Sequence, residues 1–137
     1  MKLSIVVPVY NLENYIGECL TSLLEQQADF DYQIIVCDDC STDNSASIIK
    51  RFSELYPHII KAILKSKNAG LAENMRTLLS HVEGEYVAYL DGDDVAFPTK
   101  LQKQVAYLDT HPSCSMVYHE SDMFDSETGK SIQLYSS

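Results

Sequence analysis

The chain has 137 residues, of which 45% are hydrophobic and 22% are charged, a composition typical of one globular domain. Twenty acidic residues against ten lysines and arginines give a formal net charge of −10. This balance argues against a surface for nucleic acid or anionic membranes, because both need clustered cations. No segment approaches the roughly 18 apolar residues of a membrane span, and the apolar N-terminal run lacks the cleavage site of a signal peptide.

Apolar β-branched runs alternate with amphipathic runs along the chain, which predicts strands that alternate with helices. In chain order we expect a strand over 3–10, a helix from Ile16, a strand over 33–37, a helix that follows 41–43 and ends before Pro57, a strand over 59–64, a helix over 71–82, a strand over 86–90, a helix over 99–108, a strand over 116–119 and a hairpin over 124–134. This order predicts an α/β fold with a mostly parallel sheet covered by helices on both faces. Tyr86, Tyr89 and Tyr107 are expected in its core.

Acidic residues follow two of the predicted strands. In an open parallel sheet, ligands bind beyond the carboxyl ends of the strands, where this chain places Asp38, Asp39, Asp91, Asp93 and Asp94. Converging carboxylates repel one another unless they share a cation, and Mg²⁺ and Mn²⁺ prefer such oxygen ligands. The sequence therefore predicts a divalent-cation site that could neutralise a bound diphosphate. The alternative is that these aspartates are solvated turn residues, which the second acidic group disfavours.

The spacing of Asp91 and Asp93 indicates how they would converge. In an extended chain, residues two apart point to the same side. Gly92 between them would leave the backbone open to a ligand.

Several other sites are excluded. The sequence has no G-x-x-x-x-G-K-[ST] phosphate loop and no G-x-G-x-x-G dinucleotide fingerprint. The C-x-x-C pair Cys37 and Cys40 has no second ligand pair for zinc. Because Cys37 ends a strand rather than opening a helix, a redox role is also disfavoured. We expect reduced cysteines.

Five segments, in this order, resemble the successive signatures of family 2 glycosyltransferases. They are SIVVPVYN at 4–11, DDCSTD at 38–43, NAGL at 68–71, GEYV at 84–87 and YLDGDD at 89–94, and the resemblance runs from residue 3 to about 119. It implies the GT-A fold, in truncated form. It also implies metal-dependent transfer of a sugar from a nucleoside diphosphate donor, most commonly a UDP-sugar, to a glycan or lipid-linked acceptor, with inversion.

The resemblance also implies roles for residues at the nucleoside. Pro8 and Tyr10 would line the pocket for the base and the ribose. Asp39 would accept a hydrogen bond from the uracil or the ribose, with Asp38 as a weaker candidate. Asn68 would lie near the base.

At the phosphates, the resemblance implies that Asp93 ligates Mn²⁺ or Mg²⁺. Asp91 would bind the ribose or the metal, and Asp94 would orient its neighbours. Arg76 would contact the pyrophosphate, although an ordinary surface cation is the alternative for it.

This sequence departs from the family pattern in two motifs and in length. Cys40 replaces the family's glycine, and Met75 and Arg76 stand where the family has Arg-Asn. Residues 1–137 are expected to form one donor-binding domain without the acceptor-binding part. The general base would lie beyond residue 137, so no catalytic residue is assigned. Such enzymes build cell-envelope polysaccharides on the cytoplasmic side, some of them membrane-associated.

Two other functions remain as alternatives. A noncatalytic nucleotide-sugar-binding module would keep the same motifs. A Mg²⁺-binding receiver domain of a signalling protein would carry its acidic pair after the first strand, where this chain has Tyr10 and Asn11, so it is the weaker alternative.

Overall fold

The computed structural model describes residues 1–113, 120–124 and 131–136, and the chain forms two compact units, Met1–Leu101 and Gln102–Ser137. The first unit contains β1 (Leu3–Val9), α1 (Ile16–Leu24), β2 (Tyr32–Asp38), α2 (Ser45–Leu55), β3 (Ile60–Leu64), α3 (Leu71–Ser80) and β4 (Tyr86–Tyr89). Helix α4 (Lys100–Thr110) begins where the first unit ends. The second unit holds the rest of α4 and the strands β5 (Glu120–Phe124) and β6 (Ser131–Ser136).

The first unit is built on a parallel sheet with the strand order β3-β2-β1-β4. The register pairs Val9 with Asp38 and Asp38 with Leu64, so β1, β2 and β3 end together. On its other side β1 pairs Val6 with Tyr89. The loops that follow all four strands therefore leave from one edge of the sheet, as the α/β prediction required.

Helices cover both faces of this sheet. Side chains alternate between the faces of a strand, and Val6, Ile35 and Cys37 form one buried cluster with Leu78 of α3. On the opposite face, Ile5 and Leu23 of α1 line the same small cavity. The strands β1 and β2 are nearly continuous runs of buried apolar residues because they are covered on both sides.

The predicted elements agree closely with the structure where it describes the chain. The predicted strand over 116–119 lies outside the described residues. Strands β5 and β6 form an antiparallel pair, as a hairpin requires, but β5 begins at Glu120, earlier than predicted. The core prediction for the three tyrosines is wrong for Tyr89 and Tyr107, which are 47% and 44% exposed, whereas Tyr86 is partly buried. None of the helices in the described part of the chain has the length and apolar character of a membrane span.

The connection between α3 and β4 crosses the beginning of β1 at very short range. The fully buried Ser4 hydroxyl accepts hydrogen bonds from the backbone amides of Glu83 and Gly84, at 3.1 and 2.8 Å, and donates one to Gln33 Oε1 at 2.7 Å. A Cβ atom on Gly84 would lie 2.4 Å from the Ser4 nitrogen and 2.6 Å from the Leu3 carbonyl carbon. Only glycine fits at position 84.

This close approach predicts opposite effects for two glycine substitutions. Gly84→Ala must push two backbone segments apart, and we expect it to lower the free energy of unfolding by about 3 kcal/mol or more. Gly17 lies within α1, where a new Cβ meets no atom within 4 Å. Gly17→Ala should therefore raise the free energy of unfolding by about 0.5–1 kcal/mol. Urea unfolding of both variants checks this, and equal effects would contradict it.

Candidate functional site

Three aspartates converge just beyond β4. One carboxylate oxygen from each of Asp91, Asp93 and Asp94 lies within 4.8 Å of the others. The backbone here is a turn, closed by a hydrogen bond of 2.9 Å from the Asp94 amide to the Asp91 carbonyl. We name residues 91–94 the acidic turn. The expectation that an extended backbone aligns Asp91 with Asp93 is wrong, since the turn brings the carboxylates together and adds Asp94.

Gly92 places the acidic turn against the end of β1. A Cβ on Gly92 would lie 2.9 Å from the Leu12 side chain, 3.0 Å from that of Val9 and 3.2 Å from the Pro8 carbonyl oxygen. Gly92 is buried, and the absence of a side chain allows the acidic turn to pack closely against residues 8–12. The expectation that Gly92 opens the backbone to a ligand is therefore wrong.

The acidic turn is electrostatically unfavourable without a cation. Partial loss of hydration and the charges of Asp93 and Asp91 raise the pKa of Asp94, an effect that Lys100 partly offsets. Burial and the same three carboxylates raise the pKa of the Cys19 thiol beneath the turn to about 12. Cys19 is therefore a neutral S–H donor, and its sulfur lies 3.6 Å from the Asp91 carbonyl oxygen.

Tyr89 orients one of the three carboxylates. Its hydroxyl donates a hydrogen bond to Asp91 Oδ1, and burial and this carboxylate together raise the pKa of the phenol. The sequence predicted this tyrosine as core. The sequence did contain a signal for this contact: Tyr89 lies two residues before Asp91, and residues two apart in an extended chain point to the same side.

The residues of the acidic turn fit a divalent cation. All three offer carboxylate oxygens, the ligand type that Mg²⁺ and Mn²⁺ prefer. Asp93 and Asp94 are exposed, so a cation could keep water or phosphate oxygens as further ligands. A bound cation would also offset the repulsion that raises the pKa of Asp94.

Asp38 and Asp39 lie at the neighbouring strand end but in a different environment. They are only 1% and 3% exposed. The Asp38 carboxylate accepts hydrogen bonds from the Ser41 amide at 3.0 Å and the Ser41 hydroxyl at 2.5 Å. The two Asp39 oxygens accept the amides of Ala69 and Gly70, each at 2.8 Å. These carboxylates hold the loops after β2 and β3 in place.

The loops that follow β1 and β2 are fastened to each other. The Asn11 amide donates to Ser41 Oγ at 2.9 Å, and Asn11 Oδ1 accepts the Thr42 amide at 2.8 Å.

Further along, the Leu12 amide donates to Ser45 Oγ at 2.8 Å. The Glu13 amide and the Ser45 amide donate to the two oxygens of the same Asp43 carboxylate. Sequence analysis missed these contacts because loop spacing does not reveal which loops meet.

Two residues of these loops have a left-handed backbone. Asn11 has φ +52° and Cys40 has φ +58°. Asparagine tolerates this region, whereas for other L-residues it costs about 1–2 kcal/mol. The backbone at Cys40 is therefore strained, and a glycine at this position would not carry that cost.

The other predicted nucleotide-binding residues lie at different degrees of exposure. Pro8 is buried within β1, whereas Tyr10, just past its end, is 47% exposed. Asn68 is exposed and donates from Nδ2 to the Asp39 carbonyl at 3.1 Å. Arg76 has a side chain that is 75% exposed and paired with Glu73 on α3. That pairing fits the surface alternative, and the predicted roles of these residues stay predictions.

Comparison with known proteins gives the family. The sequence profile described as Glycosyl transferase family 2 matches residues 4–135. The chain belongs to glycosyl transferase family 2. A curated relative, the putative glycosyltransferase EpsE of Bacillus subtilis, is 38% identical over 124 residues, which are 90% of this chain and 44% of EpsE.

Solved structures of other proteins share the fold. Staphylococcus aureus TarS, residues 1–349 in complex with UDP, superposes with a TM-score of 0.72 at 34% identity. The match covers 82% of this chain and 33% of the TarS chain. Mannosyltransferase PcManGT of Pyrobaculum calidifontis, in complex with GDP-Man and Mn²⁺, superposes with a TM-score of 0.70 at 28% identity. The match covers 78% of this chain and 32% of the PcManGT chain. These neighbours have the GT-A fold, which confirms the fold prediction. The chain spans less than half the length of these relatives.

The strain at Cys40 predicts that glycine stabilises this family 2 domain. Cys40→Gly removes the free-energy cost of φ +58°, which stabilises the fold. Glycine also has more conformational freedom in the unfolded chain, which offsets part of this gain, so we expect the free energy of unfolding to rise by about 0.5–1 kcal/mol. Cys40→Ala keeps a Cβ in the same backbone region and should give no such gain. Urea unfolding compares the two variants, and equal stabilities would contradict the assigned strain.

The raised pKa of Asp94 predicts a pH-dependent effect in the metal-free protein. A carboxyl whose pKa is higher in the folded than in the unfolded chain destabilises the fold when ionised, and this penalty disappears as the pH falls below the unfolded value. Asp94→Asn, unfolded by urea in EDTA, should therefore be more stable than the parent at pH 7. The difference should shrink as the pH falls towards 4, the ordinary range of an aspartate pKa.

The matched control is Asp31→Asn, which removes an exposed carboxylate from the loop before β2. It should show no comparable gain that depends on pH. An Asp94→Asn protein that is less stable than the parent at pH 7 would contradict the destabilising effect of the ionised Asp94 carboxylate.

Proposed function

We propose that this chain is the donor-binding part of a glycosyltransferase, which binds a nucleoside diphosphate sugar, most readily a UDP-sugar, together with Mn²⁺ or Mg²⁺. The observation that carries the proposal is the convergence of three carboxylates within 4.8 Å at the carboxyl edge of a parallel sheet, in a chain of this family. Such an edge is where open α/β sheets bind ligands.

The solved relatives support both the nucleotide-sugar donor and the divalent cation of this proposal. The TarS structures include complexes with UDP and with UDP-GlcNAc, and PcManGT was solved with GDP-Man and Mn²⁺. A chain with net charge −10 needs a cation, or local hydrogen-bond donors, to hold a diphosphate. The acidic turn provides the ligands for that cation.

Asp93 and Asp91 would hold the cation in this proposal, with Asp94 beside them. A divalent cation supplies Lewis-acid stabilisation of the diphosphate charge. The Tyr89 hydroxyl occupies one oxygen of Asp91, which leaves the other free for the cation or the ribose.

The nucleoside would bind near the ends of β1 and β2. Tyr10 provides an exposed aromatic ring there, and Pro8 shapes the backbone below it. Asp39 has both oxygens on backbone amides, but a carboxylate has about four acceptor sites, so it can still receive a donor from the base or ribose. Asp38 and Asn68 are the neighbouring candidates, and Arg76 would have to leave Glu73 to reach a phosphate.

Residues outside this chain would complete the enzyme. An inverting transfer needs an Asp or Glu to remove the proton from the acceptor hydroxyl as its oxygen attacks the anomeric carbon. We assign that base, and the acceptor site for a glycan or lipid carrier, to a part of the protein beyond residue 137. The product would be a cell-envelope polysaccharide, assembled on the cytoplasmic side.

Nucleotide binding by the 137-residue chain tests this proposal. UDP with Mn²⁺ at about 100 times its Kd should add about 2.7 kcal/mol of stability, which is about 10 °C in Tm for a chain of this length. GDP, dTDP and ADP are run in parallel, each with Mn²⁺ and with EDTA. We expect the shift with UDP to vanish in EDTA and in Asp93→Asn.

Glu54→Gln is the matched control, because it removes an exposed carboxylate on α2 far along the chain from the acidic turn. It should retain the shift. A chain that no nucleotide stabilises in the presence of Mn²⁺ contradicts donor binding. Efficient sugar transfer by the 137-residue chain alone would contradict the assignment of the base and acceptor site to other residues.

A further inference from the structure

Polar side chains on one face of α1 hold the segment that begins with the acidic turn. Cys19, Ser22 and Gln26 are spaced by three and four residues, so they lie on one side of the helix and just past its end. Each of them contacts the backbone of residues 91–101. We name these three side chains the α1 stripe.

The contacts of the α1 stripe are distributed along the whole segment. At its start, the Cys19 thiol donates to the Asp91 carbonyl, the same oxygen that closes the acidic turn by accepting the Asp94 amide. In the middle, the Ala96 amide donates to Ser22 Oγ at 3.0 Å. Ser22 in turn donates to the Cys19 carbonyl at 2.7 Å, so its hydroxyl has a fixed orientation.

Gln26 fixes the far end of the segment with both atoms of its amide group. Its Nε2 donates to the Phe97 carbonyl at 2.7 Å, and its Oε1 accepts the Leu101 amide at 3.1 Å. The Leu101 amide belongs to the first turn of α4, where amides have no partner within the helix. Backbone adds to this contact, since the Gln27 amide donates to the Pro98 carbonyl at 2.7 Å.

We propose that Ser22 and Gln26 are positioning residues for the divalent cation: by fixing residues 96–101 to α1, they keep the three carboxylates of the acidic turn converged before a cation binds. The inference rests on the proposed function. Repulsion among Asp91, Asp93 and Asp94 favours a turn that opens, and within the turn it is opposed by hydrogen bonds between Asp91 and Asp94, from the Asp94 amide to the Asp91 carbonyl and from the Asp91 amide to the Asp94 carboxylate. A turn held from outside has its ligands ordered in advance, so less order must be gained on binding.

The test measures binding of Mn²⁺ alone, by calorimetry and by the paramagnetic resonance signal of the free ion. Ser22→Ala removes the acceptor for Ala96, and Gln26→Met replaces the amide by an apolar side chain of similar length. We expect each variant to weaken Mn²⁺ binding by about 10-fold, as is common when a residue that supports a metal ligand is lost. Ser22→Thr keeps the hydroxyl, next to the open groove that Ser22 helps to line, and should restore the affinity.

Neighbouring residues provide matched controls. Thr21→Ala removes a hydroxyl from an exposed residue of the same helix, and Gln27→Met changes an exposed glutamine while leaving its backbone amide in place. Both should bind Mn²⁺ like the parent. Amide hydrogen exchange gives a second measurement: Ser22→Ala should accelerate exchange at Ala96, and Gln26→Met at Leu101.

Urea unfolding in EDTA separates positioning from stability. If Ser22→Ala and Gln26→Met are less stable but their folded forms bind Mn²⁺ as tightly as the parent, the positioning role is wrong while the proposed function stands. If the parent itself binds neither Mn²⁺ nor UDP, both proposals are wrong. If one variant does not fold, the other, together with its matched control, decides the result.

Discussion

Three carboxylates held within 4.8 Å of one another, in a chain of net charge −10, are the constraint on which this site depends. Partial loss of hydration and then their mutual repulsion raise the pKa of Asp94, and the same two effects raise the pKa of Cys19 below them. The fold resists it by packing Gly92 against the end of β1 and by fixing the following segment to α1. The three carboxylates therefore stay close together although their charges repel one another.

The order of strands explains why the acidic turn and the loops after β1 and β2 meet at all. Because β1 pairs in parallel with both β2 and β4, the chain leaves all three strands at the same edge. Contacts between loops then fix what the sheet has brought together. Asn11 and Asp43 join the loops after β1 and β2, and Asp39 joins the loops after β2 and β3.

Much of this could be predicted from sequence, because it depends on local patterns. The apolar runs and helical spacing located the strands and helices, and the parallel topology put Asp38, Asp39, Asp91, Asp93 and Asp94 at one edge. The failures concern contacts between distant segments. Gly92 makes room for β1 rather than a ligand, and Tyr89 is an exposed donor to Asp91 rather than a core residue. The polar residues of the α1 stripe are visible in the sequence. Their hydrogen-bond partners lie some 70 residues later in the chain, so local patterns could not reveal them.

The two acidic groups show why residue type alone does not identify a metal ligand. Asp38 and Asp39 are buried, and each carboxylate receives two hydrogen bonds, Asp38 from Ser41 in its own loop and Asp39 from the loop after β3, which compensate its charge without a cation. In the acidic turn, the donors found among residues 1–101 are the Tyr89 hydroxyl for Asp91 and the Asp91 amide for Asp94, with Lys100 close by. The first group therefore has its charge satisfied by the fold, whereas the second has more negative charge than its surroundings compensate. In the proposed function a divalent cation would balance the charge of the second group, while the first group supports the loops around it.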